Sequence, residues 1–184
     1  MTPARKMVPG RGFASSAKKD LPQKHAAGNH DLIKRFTWEI ASISVYLEDL
    51  RQFWAKAIGI SGPQWMILMA ISDLDQDDGV PVNAVSKQLH VDPSFVTTQS
   101  KLLEKKGLLR RKPSPIDARV VQMSLTDKTR NHLANLSAQL DAMNEFVFEE
   151  FGKDELTEFT KKLVAVKNRL EKARLKIALD FGLA

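Results

Sequence analysis

Apolar positions along this chain recur mostly in helical steps. Phe36, Ile40, Ile43, Leu47, Leu50 and Trp54 are spaced by three or four residues, which puts them on one stripe of a helix expected over residues 31–58. Gly59 suits the residue just past its end. Ser61-Gly62-Pro63-Gln64 resembles a capping box opening a shorter helix, with Trp65, Leu68, Met69 and Ile71 turned inward. The acidic run from Asp73 to Gly79 reads as a loop. Residues 81–89 read as a short helix with Val82, Val85 and Leu89 buried, followed by a turn at His90-Val91-Asp92. Asp92 can cap the next helix and Pro93 fits its first position. That helix should run to about Lys106 and close at Gly107. Residues 108–112 and 120–125 read as short strands around a turn-rich tip, Pro113 to Arg119. Thr126 can cap a fifth helix striped by Leu133, Leu136, Leu140, Met143, Val147 and Phe151. After Gly152, a last helix carries Leu156, Phe159, Leu163, Val166, Leu170, Ala173 and Ile177.

The stripes of the first, fifth and sixth helices hold 19 apolar residues, more than the small middle module can cover. Leaving several leucine-sized side chains in water costs roughly 1.5–3 kcal/mol each, so a dimer interface through the N- and C-terminal helices is expected. Residues 1–29, punctuated by Pro and Gly, read as a basic and disordered tail; residues 30–184 read as one domain. Within it, 80–126 form a lobe, and 31–75 and 127–181 supply helices for dimerisation and for a ligand pocket.

Charge changes the picture more than composition does. The net charge is +6, and residues 82–130 alone hold ten basic and four acidic side chains. Basic charge gathered in one folded segment points to a polyanion, although a solvated basic surface is the plain alternative. No apolar run approaches the roughly 18–20 residues a membrane span needs. With no cysteine, disulfide, thiol and thiolate–metal chemistry are excluded. Without a secretory signal the expected location is the cytoplasm.

The order short helix, tight turn, second helix, strand, basic tip, strand is the layout of a winged helix-turn-helix, and the fold class expected is mostly α with a two- or three-stranded wing. Ser94, Thr97, Thr98 and Lys101, with Lys105 one turn on, recur at helical spacing. Their short hydroxyl side chains let a helix approach base edges, and the lysines can reach phosphate or guanine. Val96 and Leu103 face the other way. Arg110, Arg111, Lys112 and Arg119 flank the tip and can straddle a phosphate ridge or enter a minor groove. Lys87, Phe95, Gln99 and Ser114 complete the candidate DNA-binding set. Arg119 can also simply pair with Asp117, which would aim its guanidinium.

Val91-Asp-Pro-Ser-Phe-Val-Thr97, Leu103-Glu-Lys-Lys-Gly-Leu108, Pro113-Ser-Pro-Ile-Asp-Ala-Arg119 and Val121-Gln-Met-Ser-Leu-Thr126 together resemble the MarR-type bacterial transcription regulators. The resemblance spans roughly residues 31–180. It implies a homodimer with interlocking terminal helices that binds a double-stranded DNA operator and represses a promoter. It also implies release by a small aromatic or phenolic ligand, in some members an acid and in others its coenzyme A thioester. The sequence departs from that pattern at Lys101, where the family often has an acid able to pair with a wing arginine, and at Gln99 and Ser100, where aliphatic residues are common.

Trp38, Ser42, Tyr46, Arg51, Trp65 and Met69 are the candidate effector-binding residues, in a pocket expected between helices 1, 2 and 5. The rings and thioether would give apolar walls, the hydroxyls handles, and Arg51 a partner for a carboxylate. Packing in a core or dimer interface is the alternative for each aromatic, as ion pairing is for Arg51. His25, His30, His90 and His132 show no metal-ligand spacing, so no metal or cofactor is expected. No nucleophile elbow, phosphate loop or carboxylate pair stands out, so enzymatic activity is not expected. A ligand-responsive regulator is favoured; an architectural DNA-binding protein without an effector is the alternative.

Overall fold

The computed structural model describes residues 26–75 and 78–182. The chain divides between Phe53 and Trp54 into two units.

The first unit is the greater part of helix α1 (Ala26–Ala57). It starts five residues ahead of the position expected, taking in Gly28, which the sequence suggested was tail. One Gly costs a helix only about 1 kcal/mol relative to Ala, and the flanking alanines are strong formers. The rest of the proposed tail, residues 1–25, lies outside the described residues. Phe36, Ile43 and Leu47 on the main stripe are exposed, and so are Leu32, Trp38, Val45, Tyr46 and Phe53. A helix apolar on more than one side is built to be covered on more than one side.

The second unit begins with the last turn of α1 and continues through α2 (Gly62–Leu74), β1 (Val80–Pro81), α3 (Val82–Leu89), α4 (Pro93–Lys105), β2 (Leu109–Pro113), β3 (Val121–Leu125), α5 (Asp127–Phe148) and α6 (Lys153–Asp180). The sheet is antiparallel in the order β1-β3-β2. Leu109 pairs with Leu125 and Pro113 with Val121, while Val80 pairs with Met123 on the other edge of β3. β1 replaces the first residue of the expected short helix. Pro81 lacks an N–H and fits this two-residue edge strand, then serves as the N-cap of α3. Ile67, Leu68 and Ile71 of α2, Val85 of α3, Val96 and Leu103 of α4, and Leu109 and Met123 of the sheet are fully buried together. Leu133, Leu136 and Leu140 of α5 pack against this core.

α5 ends at Phe148, three residues short of its expected limit. Phe148, Phe151 and Phe159 make an aromatic corner, with ring centroids 6.4 and 6.2 Å apart, from which α6 departs. α6 buries no residue. Its stripe of Leu163, Val166, Leu170 and Ile177 is unspent in one chain.

Candidate nucleic-acid interface

The presentation of α4 starts at the turn before it. His90 adopts a left-handed conformation (φ 53°), and the Ser86 hydroxyl donates to the Val91 carbonyl at 2.6 Å. Together they fold the chain sharply from α3 into α4. Asp92 then caps α4, its Oδ1 accepting from the Ser94 N–H at 2.7 Å. The bonds from Ser94 hold the Asp92 carboxyl below the usual carboxylate range. At the far end, the Lys106 ammonium donates to the Gly59 carbonyl at 2.7 Å, tying α4 to the turn that follows α1. Gly107 (φ 70°) reverses the chain into the wing.

Ser94, Thr98, Lys101 and Lys105 form one exposed face of α4, with Lys87 exposed on α3 and Phe95 at the border. Thr98 donates to the Ser94 carbonyl at 3.0 Å, leaving its oxygen able to accept. Two expected members of this face are turned inward. Thr97 is half-buried, its carbonyl receiving the Ser100 hydroxyl at 3.0 Å. Gln99 is half-buried and its Oε1 accepts from Gln64 Nε2 at 3.1 Å. Ser100, which replaces an aliphatic residue, is fully buried and satisfied by that bond to its own helix.

In the wing the basic residues divide. Arg110 is exposed and meets Asp127 at 3.4 Å; both side chains stand in solvent, so the pair is worth little and is easily exchanged for phosphate. Arg119 is 91% exposed, its Nε and Nη2 donating to Asp117 at 3.1 and 3.3 Å. The Arg119 side chain and N–H together hold the Asp117 carboxyl below its ordinary value. The two readings of Arg119 therefore coexist: it is paired, and it is aimed outward from the tip. Arg111 differs. Its side chain is only 12% exposed, its N–H donates to Glu104 Oε1 at 3.1 Å, and its Nη1 lies 3.9 Å from Glu104 Oε2. Glu104 thus joins recognition helix to wing, a link unavailable to Lys101, and Arg111 is withdrawn from the surface. Ser114 is also buried: its N–H donates to Val120 and its hydroxyl accepts from Ile116, so it shapes the tip from within. Lys87, Lys101, Lys105, Arg110, Lys112 and Arg119 are exposed cations of this lobe, as is Lys106, which is committed to the Gly59 carbonyl.

A second feature is a groove of about 560 Å³ between α2 and α5, lined by Met69, Ser72, Leu133, Ser137, Leu140, Asp141 and Asn144 among others. Met69 lines this groove. Trp65 does not: it is 3% exposed and packed in the lobe core, because it lies in the first turns of α2, which α1's last turn and the sheet enclose. Trp38, Ser42 and Tyr46 are exposed on α1, and Arg51 pairs with Glu48 at 2.8 Å. The α5 lining was missed from sequence, although Ser137, Asp141 and Asn144 step by four and three along one polar edge. Among the described residues no cluster of His, Asp or Glu could hold a metal ion, and no helix is long and apolar enough to cross a membrane.

Residues 60–121 match the sequence pattern that defines the MarR family. The HTH-type transcriptional regulator SarZ of Staphylococcus haemolyticus is 25% identical over 118 residues, 61% of this chain and 76% of that protein. Two solved structures share the fold. CouR from Rhodococcus jostii RHA1, bound to p-coumaroyl-CoA, superposes with a TM-score of 0.63 at 19% identity, covering 71% of this chain and 90% of that one. The S. aureus MepR–DNA complex gives 0.63 at 19% identity, covering 73% and 97%.

Proposed function

We propose that this chain, whose residues 60–121 match the MarR family, is a transcription regulator of that family: a homodimeric repressor that an aromatic effector releases from a pseudo-palindromic operator. The observation that carries the DNA half is the exposed face of α4, where Ser94, Thr98, Lys101 and Lys105 stand clear of every core contact. The α4 face enters the major groove, Thr98 and Ser94 reading base edges and the lysines reaching phosphate or guanine. Arg119, steered by Asp117, reaches the backbone or minor groove from the wing. A two-fold dimer sets two such helices about 34 Å apart, one turn of duplex. The uncovered apolar residues of α1 and α6 supply its interface.

The effector half is supported by the α2–α5 groove, mostly apolar with a few polar anchors, as small-molecule sites usually are. Trp38, Ser42 and Tyr46, exposed on α1, are a separate set of candidates with aromatic and hydroxyl groups. That CouR is bound to p-coumaroyl-CoA makes an aromatic acid or its coenzyme A thioester the first chemistry to test. Relieving repression about 100-fold requires a preference of about 2.7 kcal/mol for the non-binding state, within the ordinary range of coupling.

The experiment is fluorescence anisotropy on a duplex that the protein itself selects from a random pool, repeated with p-coumaroyl-CoA and with a panel of free aromatic acids. Arg119→Ala should weaken all duplexes, whereas Thr98→Ala should relax preference at one base step. A ligand that binds without changing DNA affinity, or no ligand at all, favours an architectural DNA binder without an effector. Loss spread equally over all sequences for both variants refutes the assignment of readout to Thr98.

A further inference from the structure

Gln64 is one of few buried polar side chains among the described residues, 6% exposed, and it sits in the first turn of α2. Both ends of its amide are used. Its Oε1 accepts from the Ser61 N–H at 3.3 Å, closing the N-terminus of α2. Its Nε2 donates at 3.1 Å to Gln99 Oε1 on α4, 35 residues along the chain. Ile67 and Leu68 of α2 and Val96 and Leu103 of α4 belong to one apolar core, and among the described residues the Gln64–Gln99 bond is the only side-chain hydrogen bond between the two helices.

Apolar packing is non-directional and tolerates small rotations of one helix against another. A hydrogen bond between a buried and a half-buried amide does not: it weakens steeply with distance and angle, and breaking it leaves the buried Gln64 amide nitrogen without its partner. The Gln64–Gln99 bond therefore restrains rotation of α4 about its own axis against α2, as the Lys106–Gly59 and Glu104–Arg111 links restrain the far end of the helix. That rotation decides where Ser94, Thr98 and Lys101 point, since all three project from the same helix.

We propose that Gln64 is a positioning residue for sequence recognition: without touching DNA, it holds the reading face of α4 in register through Gln99. The inference rests on the proposed DNA-binding function. It assigns to Gln99 an inward structural role, with its carbonyl oxygen committed to Gln64. Bidentate adenine recognition, which needs both the oxygen and the nitrogen of a Gln amide, is closed to it in this arrangement.

A positioning role predicts a loss of discrimination, not of general affinity. Phosphate contacts come from flexible lysine and arginine side chains that follow a small rotation, whereas base-edge contacts do not. The test compares the wild type, Gln99→Met, Gln64→Glu and the Gln64→Met/Gln99→Met double variant on two duplexes of equal length, the one selected by the wild type and a scrambled one. Gln64→Glu retains the acceptor for Ser61 and so guards against a variant that merely unfolds α2; circular dichroism confirms folding of each. Gln99→Met should lower the ratio of selected to scrambled affinity by about fivefold or more, with scrambled binding unchanged. The double variant, which replaces both amides by apolar chains of similar shape, should recover much of the ratio. Gln64→Glu should lower the ratio less than Gln99→Met, because Gln99 can turn its amide to donate to the new carboxylate. A folded Gln99→Met that keeps the wild-type ratio, or loses affinity equally on both duplexes, overturns the inference while leaving DNA binding intact. A wild type that selects no duplex sinks the DNA-binding reading itself, and this inference with it.

Discussion

Glu104→Ala should detach the wing from the recognition helix, and the geometry sets how much stability this costs. The Glu104 carboxylate accepts the Arg111 N–H at 3.1 Å and stands 3.9 Å from its guanidinium. Hydrogen bonds to a charged group contribute about 1.5–3 kcal/mol. Glu104 is itself 41% exposed, so water can take over part of its role and the lower end applies. Against that, the Arg111 guanidinium is largely buried and its Nε makes no hydrogen bond, so removing the carboxylate leaves a poorly solvated cation. The expected cost is about 2 kcal/mol for Glu104→Ala and about 1 kcal/mol for Glu104→Gln, whose remaining oxygen still accepts the N–H. A cycle with Arg111→Met isolates the ion pair, because the backbone N–H survives that change. At 3.9 Å the coupling should be about 0.5–1 kcal/mol. Urea denaturation followed by circular dichroism measures all five proteins: wild type, Glu104→Ala, Glu104→Gln, Arg111→Met and the Glu104→Ala/Arg111→Met double variant. A Glu104→Ala cost below about 0.5 kcal/mol, or equal costs for Ala and Gln, refutes the latch.

Asp92→Ala should lower the melting temperature at neutral pH by uncapping α4. Because the folded-state pKa of Asp92 is lowered, its contribution is present above its unfolded value and fades as the pH falls through the folded one, so wild type and variant should converge in acid; a constant difference across the titration would contradict this. Light scattering at low micromolar concentration should give a dimer of the 20.6 kDa chain, and a stable monomer would remove the reason given for the exposed stripes of α1 and α6.

What was legible in the sequence was local. The Asp92-Pro93 cap, Gly107, the Asp117–Arg119 tip and the Thr126 cap each act within a few residues, and each stands where its residue types placed it. The wing's inner arginine could have been found too. Side chains alternate along a strand, so with Leu109 buried, Arg110 faces out and Arg111 in. β1 could not, because two residues carry no periodicity and only pairing with Met123 defines them. Neither could the Gln64–Gln99 bond, which joins residues on separate helices with no local mark. Trp65 could be read as core or as pocket, with core packing favoured, and its 3% exposure in the first turns of α2 makes it core. The polar edge of α5 at Ser137, Asp141 and Asn144 carries only the helical spacing that any solvated helix face shows, so nothing local marks it as groove lining.

The central claim is that this lobe binds duplex DNA through its exposed cations, and the salt dependence of binding tests it most directly. With Arg111 withdrawn, Lys87, Lys101, Lys105, Arg110, Lys112 and Arg119 remain as the lobe's candidates for phosphate contact. If about four per subunit neutralise phosphates, each contributing about −0.9, the log–log slope for a dimer on its selected duplex is about −7. Anisotropy titrations between low and moderate salt should give that value, reduced by about 2 in Arg119→Ala. A slope shallower than about −2 would contradict the account.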